Sequence, residues 1–365
     1  MKKRLFVFLD GLDDLPDILL NQKNILSFRS ELIRSEGAFD TGVFLLSFLG
    51  YDVNKYYTGS GPLEALACGL DVYDGNLALK VSLASCAQDG KSIKGRFLKG
   101  DLGKEDILIL AEEVNSQVAL SSATFELNLG CPEQPGGALV IRGIRSKLSG
   151  CVINTDPAYE RRGLFNIQRE NPLEVLLESA PLGGYEENIE AKEAAFLVNE
   201  FTRKSYAVLS GSFFNKKRIT EGKLPVNIIL SSGAGDRLPP VPLISSFYGL
   251  RCAFLTQAPL GRAISRLAGI DLLDAPESCG HADVDYSVWA KLALESLDRY
   301  DCLFVHIKYP DQGLKEEKTC QRQEVMQAVD KFFFGYLISV MDSHNILLSV
   351  FRGKGEEKGT VLFNP

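Results

Sequence analysis

Gly50-Tyr-Asp-Val-Asn-Lys-Tyr-Tyr-Thr-Gly-Ser-Gly-Pro-Leu-Glu-Ala-Leu-Ala-Cys-Gly69 is too polar, and too rich in Gly and Tyr, to be plain core. Thr58-Gly59-Ser60-Gly61-Pro62 signals a turn, with glycines that admit positive φ and a proline suited to an early helical position. Upstream lies the apolar run Val43-Phe44-Leu45-Leu46-Ser47-Phe48-Leu49, preceded by Asp40-Thr41-Gly42. The local reading is a loop, a buried helix, a tight turn and a second helix start.

Working outward, Leu5 to Leu9 is a continuous apolar run closed by Asp10-Gly11. That pattern predicts a central parallel strand with Asp10 at its carboxyl end, where ligands bind in open α/β sheets. Strands are expected at Leu77 to Ser85, Leu139 to Arg142, Val226 to Leu230, Cys302 to Ile307 and Ile346 to Val350. Helices are expected at Lys104 to Gln117, Glu186 to Leu209, Pro259 to Leu267, Val288 to Leu297 and Val325 to Met341. Asp89-Gly90 and Pro135-Gly136-Gly137 read as turns, and Ser231 to Gly235 as a loop. Strands alternating with helices argue for an α/β fold with a mostly parallel sheet flanked by helices.

The 365 residues are 45% hydrophobic and 24% charged, enough for one large domain with an insertion or for two domains. A net charge of -7 argues against non-specific nucleic-acid binding. No apolar run approaches the roughly 20 residues of a membrane helix. Met1 to Asp10 superficially resembles a signal peptide. Its apolar run is too short, however, and acidic residues follow at once, so it reads as a strand. The eight cysteines include no C-x-x-C pair and read as reduced thiols of a cytoplasmic protein.

The stretch from Asp40 to Gly69 resembles the archaeal-type cofactor-independent phosphoglycerate mutases, a branch of the alkaline phosphatase superfamily. That family carries Ser-Asp at a helix start, then Gly-Tyr-Asp-Pro and Tyr-Tyr-Thr-Gly-Arg-Gly-Pro. Further blocks match in order: Leu9 to Leu12, Asn154 to Pro157, Asn199 to Tyr206, Gly233 to Gly235 and Val305 to Lys308. The resemblance implies an alkaline-phosphatase-like core over residues 1–73 and 156–365, with a smaller α+β domain inserted at 74–155 that closes over substrate. It implies interconversion of 2- and 3-phosphoglycerate, a step of glycolysis, through a phosphorylated Ser or Thr and two divalent metals, manganese or magnesium. The implied partner is a small phosphorylated metabolite, with no nucleic acid and no membrane; a homo-oligomer is compatible with it.

Carried over by residue, the resemblance makes Asp10 and Asp311 metal ligands and Thr41 the phosphoryl acceptor. Arg96, Asp156 and Lys308 stand in blocks that contact substrate. For Thr41 a helix cap is an equal alternative. Several positions depart from the pattern. The family's Asp-x-x-x-His places Lys315 where its histidine belongs, and a protonated Lys cannot ligate a metal. The family's Asp-His pair after the last buried strand reads here Phe351-Arg352-Gly353-Lys354-Gly355. The family's Thr-Gly-Arg-Gly-Pro has Ser60 in place of Arg. Only three histidines occur, with His306 on a strand and His281 and His344 at non-ligand positions. Two expectations compete: an active mutase or related phosphotransferase using Thr41, and a non-catalytic ligand-binding or regulatory scaffold with a degraded metal site. A refinement of the second places Lys315 and Lys354 in the emptied metal positions, bridging Asp10 and Asp311.

Overall fold

The computed structural model describes residues 3–10, 29–33, 40–97, 101–130, 136–169, 171–275, 282–308, 323–344, 346–352 and 360–364; side chains are described over the same ranges except 29–33, 341–344 and 351 onward. In chain order the elements are β1 (Lys3–Asp10), β2 (Arg29–Ile33), α1 (Thr41–Phe48), α2 (Val53–Tyr56), α3 (Ser60–Ala67), β3 (Leu77–Cys86) and β4 (Ile93–Arg96). Next come α4 (Lys104–Gln117), β5 (Ala123–Asn128), β6 (Gly136–Gly143), β7 (Tyr159–Arg162), β8 (Phe165–Gln168), α5 (Ile189–Gly211), α6 (Phe213–Thr220) and β9 (Ile228–Gly235). The chain continues through α7 (Ile244–Tyr248), β10 (Cys252–Leu255), α8 (Pro259–Ala268), β11 (Asp271–Leu273), α9 (Tyr286–Ser296) and β12 (Cys302–Lys308). A helix over 323–344, α10, contains a π-helical turn at Val329–Phe334 and is followed by β13 (Ile346–Arg352) and β14 (Thr360–Asn364).

These elements fall into two compact units. The first comprises Met1–Ala38, Phe44–Tyr51 and Val241–Pro365; the second comprises Phe39–Val43 and Asp52–Pro240. Residues 74–155, expected as the insertion, lie within the second unit.

In the first unit a seven-stranded sheet runs β11-β10-β12-β1-β13-β14-β2. The five strands from β11 to β13 are parallel, and β14 and β2 close the edge antiparallel. The unbroken apolar run of β1 follows from its central place, since both faces are covered. Leu5, Val7 and Leu9 pack with Tyr286 and Trp289 of α9 and with Phe333, Phe334 and Leu337 of α10. On the other face Phe8 meets Phe48 of α1, with ring centroids 5.4 Å apart. Truncating any of these buried side chains to Ala would cost about 2–5 kcal/mol. Helix α8 starts with Pro259 and ends at Gly269 in the left-handed conformation, φ 63°, the usual chemistry for both ends.

In the second unit β3 is central. It pairs antiparallel with β6 on one edge and β9 on the other, with β5 beyond β6 and β4 beside the end of β3. Helices α4 and α5 cover this sheet through Leu110, Val114, Leu197, Val198 and Phe201. The side chain of Asn188 caps α5 by accepting from the Ala191 N–H at 2.7 Å.

Two expected breaks are strand instead. Ser231 to Gly235 continues β9, buried throughout, because pairing with β3 extends to Gly235. Gly136 and Gly137, expected in a turn, begin β6. A Cβ on Gly137 would stand 1.8 Å from the Asn128 carbonyl oxygen, so the glycine serves close strand approach rather than reversal. Among the described residues, no helix is long and apolar enough to cross a membrane.

Candidate functional site

In the first unit Asp10 ends β1, paired in register with Lys308 at the end of β12. Arg352 ends β13 opposite Leu9. The carboxyl ends of three adjacent parallel strands therefore carry Lys308, Asp10 and Arg352 side by side. The register also sets Phe8 against His306, whose ring is fully buried and stacks on Phe8 at 5.2 Å. His306 Nε2 lies 3.2 Å from Asp10 Oδ2, and Nδ1 lies 3.2 Å from Thr256 Oγ1. Thr256 Oγ1 accepts from the Ala258 N–H at 3.2 Å, so its own hydrogen is left for Nδ1. The coherent pattern has Thr256 donating to Nδ1 and Nε2–H donating to the Asp10 carboxylate.

Among the described residues, those that could hold divalent metals do not make a two-metal site. Such ions take four or more oxygen or nitrogen ligands each. Among the described residues no group of three or more His, Cys, Asp or Glu could hold a metal. Asp10 is joined to an imidazole whose second nitrogen is already engaged by Thr256. The expected residues Asp311, Lys315 and Lys354 lie outside the described residues.

In the second unit Thr41 is the first residue of α1. The cap is Asp40 rather than Thr41, since Asp40 Oδ1 accepts from the Val43 N–H at 3.2 Å. Thr41 is thereby free of the capping task. Tyr57 donates to Asp40 Oδ2 at 2.5 Å. Burial pushes the Asp40 carboxyl above its ordinary range. Burial, together with the neighbouring charge of Asp40, pushes the Tyr57 hydroxyl well above its own. Lys80 pairs with Glu64 at 3.4 Å and is held protonated by Glu64, Tyr159 and Asp40 against the opposing effect of burial.

Behind this group lies Arg161, buried on the short strand β7. Nη2 donates to the carbonyls of Ala234, at 2.5 Å, and Gly150, at 3.1 Å; Nε donates to Gly163 at 2.8 Å. Nη1 is buried with no protein hydrogen-bond partner, and so is Thr58 Oγ1. The turn that places them needs Gly59 at φ 112°, where an added Cβ would meet the Ala234 carbonyl oxygen at 2.5 Å.

The expected substrate residues Arg96 and Asp156 are brought together. Arg96 grips Asp156 with two hydrogen bonds, Nη2 to Oδ1 at 2.5 Å and Nη1 to Oδ2 at 3.0 Å. Ser82 donates to Oδ2 at 3.0 Å and the Ala158 N–H to Oδ1 at 2.9 Å. Asp156 is 1% exposed and Arg96 28%, so the guanidinium is the face that a ligand could meet. Tyr57, Lys80 and Arg161 were not singled out from sequence, and His306 was noted only as a strand histidine in a matching block. His306 was legible only as a polar residue inside an apolar strand, a position that calls for a partner.

The sequence profile of the 2,3-bisphosphoglycerate-independent phosphoglycerate mutases matches residues 30–215. An Aeropyrum pernix protein of that description is 32% identical over 303 residues, covering 82% of this chain and 70% of the relative. The chain belongs to this family. A Saccharolobus islandicus member is 31% identical over 95% of this chain and 82% of its own. The fold is shared with solved proteins. A cofactor-independent phosphoglycerate mutase from Thermoplasma acidophilum superimposes with TM-score 0.55 at 24% identity, covering 100% of this chain and 89% of that one. A Pyrococcus horikoshii protein gives TM-score 0.67 at 20% identity, covering 100% and 87%. The alkaline-phosphatase-like fold expected from sequence is thus the fold of the family.

Proposed function

We propose that this mutase-family chain binds a small phosphorylated metabolite and turns it over weakly or not at all as a mutase. The observation that carries the proposal is the end of β13. The family pattern calls for an acid and an imidazole there, beside Asp10, and the chain supplies Arg352-Gly353-Lys354. Lys315 in place of the Asp-x-x-x-His histidine adds to it. Loss of one catalytic group commonly costs orders of magnitude in rate, and losing several ligands removes two-metal catalysis. In this reading Lys315 and Lys354 take the place of the missing metals between Asp10 and Asp311.

Ligand binding is supported by the partly exposed Arg96 on Asp156 and by the unpartnered Nη1 of buried Arg161, both suited to an anionic oxygen. Titration calorimetry with 3-phosphoglycerate tests it. Binding that weakens at least tenfold in Arg96→Ala supports the reading; no heat with either 2- or 3-phosphoglycerate rejects the metabolite class. A second reading, an active phosphotransferase, is favoured by Thr41 at the start of α1 with its hydroxyl released from capping.

A further inference from the structure

At the amino-terminal end of the first unit's sheet, opposite to the end that carries Asp10, β10 and β12 start with Cys252 and Cys302. These two are register partners on adjacent parallel strands. Register partners of neighbouring strands point to the same face, with strands about 4.8 Å apart. That spacing falls within the range of Cα separations, about 4.4–6.8 Å, that a disulfide spans. Both cysteines are free thiols. Arg4 of β1 is the register partner of Cys302 on its other side.

Cys252 lines an open cleft of about 410 Å³ whose wall also includes Arg251, Asp271, Arg299 and Tyr300. Cys302 does not line it. The Tyr300 hydroxyl donates to Asp271 at 3.0 Å, and the Arg251 side chain reaches Asp301 at 3.5 Å. Arg299 lies over the Tyr300 ring, 5.7 Å from its centroid. The cleft is therefore lined by one thiol, two guanidinium groups and the Asp271 carboxylate, with Arg251 paired to Asp301. A hydrogen bond from Cys302 holds the Cys252 thiol below its ordinary range against burial and the Asp301 charge, with a smaller contribution from Arg4. The same bond, with burial, pushes Cys302 up.

We propose that Cys252 and Cys302 form a thiol–disulfide exchange site for anionic low-molecular-weight disulfides, with Cys252 attacking and Cys302 resolving. The Cys252 thiolate attacks one sulfur of the small disulfide, forming a mixed disulfide and expelling one thiolate. Cys302 then loses its proton and attacks the Cys252 sulfur. The Cys252–Cys302 bond forms and the second small thiolate leaves. Two protein thiols are oxidised by two electrons, the small disulfide is reduced to two thiols, and the two protons pass to the leaving groups. Arg251 and Arg299 select for carboxylates on the incoming disulfide. The product ties β10 to β12 and is reversed by a dithiol reductant.

The test is to incubate the full chain with oxidised glutathione, trap it with iodoacetamide under native conditions, and map it by mass spectrometry. The expected result is a Cys252–Cys302 peptide pair two hydrogens lighter, formed at least tenfold faster than Cys68, Cys86 or Cys151 is modified. Cys302→Ser stops at one glutathione on Cys252, and Cys252→Ser leaves Cys302 unmodified. Arg251→Ala with Arg299→Ala slows the reaction with oxidised glutathione severalfold and leaves that with neutral hydroxyethyl disulfide unchanged. In the unaltered chain, absence of the linked pair, or modification no faster than at Cys68, Cys86 or Cys151, overturns the proposal.

Discussion

His306 Nε2 stands 3.2 Å from Asp10 Oδ2, joining two adjacent parallel strands near the carboxyl end of the sheet. The bond gives Asp10 a protein partner, while Thr256 fixes the other ring nitrogen. Replacing His306 by Ala removes a fully buried stacked ring and two hydrogen bonds. It should cost about 3 kcal/mol in urea unfolding, with His306→Gln losing less. Equal stability of His306→Ala and the unaltered chain would refute this role.

Arg96→Ala leaves the Asp156 carboxylate buried with only Ser82 and the Ala158 N–H. The expected loss is roughly 2 kcal/mol, moderated because Arg96 is partly exposed. Arg96→Lys keeps the charge but not the two-pronged grip, so it should recover less than half of the loss. Paired denaturation curves of the two variants decide it.

Helix α3 meets β3 at Gly61, where an added Cβ would lie 2.2 Å from the Ala78 carbonyl oxygen. Gly61→Ala forces two backbones apart and should destabilise by about 3 kcal/mol. Thermal unfolding of Gly61→Ala beside Gly69→Ala checks the cause. Gly69 has open space at that position but a positive φ of 76°, so it reports strain without a clash.

Asp89 gives a pH prediction. The Ser92 hydroxyl, with the N–H groups of Ser92 and Lys91, holds its carboxyl down to about 2. The depressed value means that the folded state favours the ionised form. Its contribution to stability is full above the ordinary carboxylate range and is lost as pH falls toward 2. An NMR titration should find the Asp89 midpoint near the value of about 2, and Ser92→Ala should raise it. An unchanged midpoint in the variant would contradict the assignment.

Much of the architecture was legible because burial on both faces writes an unmistakable pattern. The run from Leu5 to Leu9 and the one from Cys302 to Ile307 each became a central parallel strand. The Asp40-Thr41-Gly42 start of a buried helix was equally plain. What sequence did not carry was register. His306 looked like an isolated polar strand residue because its partner is 296 positions away and is set only by how β1 pairs with β12. Gly137 suggested a turn by composition, yet it pairs with Val81 and crowds the Asn128 carbonyl, whereas Gly233, at φ 61°, sits in an irregularity of the β9–β3 pairing packed against the Ser60 side chain. Arg161 gave no signal, since its role depends on the carbonyls of Gly150, Gly163 and Ala234 converging.

The central proposal is a family fold with weak or no mutase turnover. Interconversion of 3- and 2-phosphoglycerate, measured at saturating manganese for the purified chain and for Thr41→Ala, tests it most directly. The account predicts turnover absent or only marginally above that of Thr41→Ala. Robust turnover that disappears in Thr41→Ala would contradict it and make Thr41 the working phosphoryl acceptor.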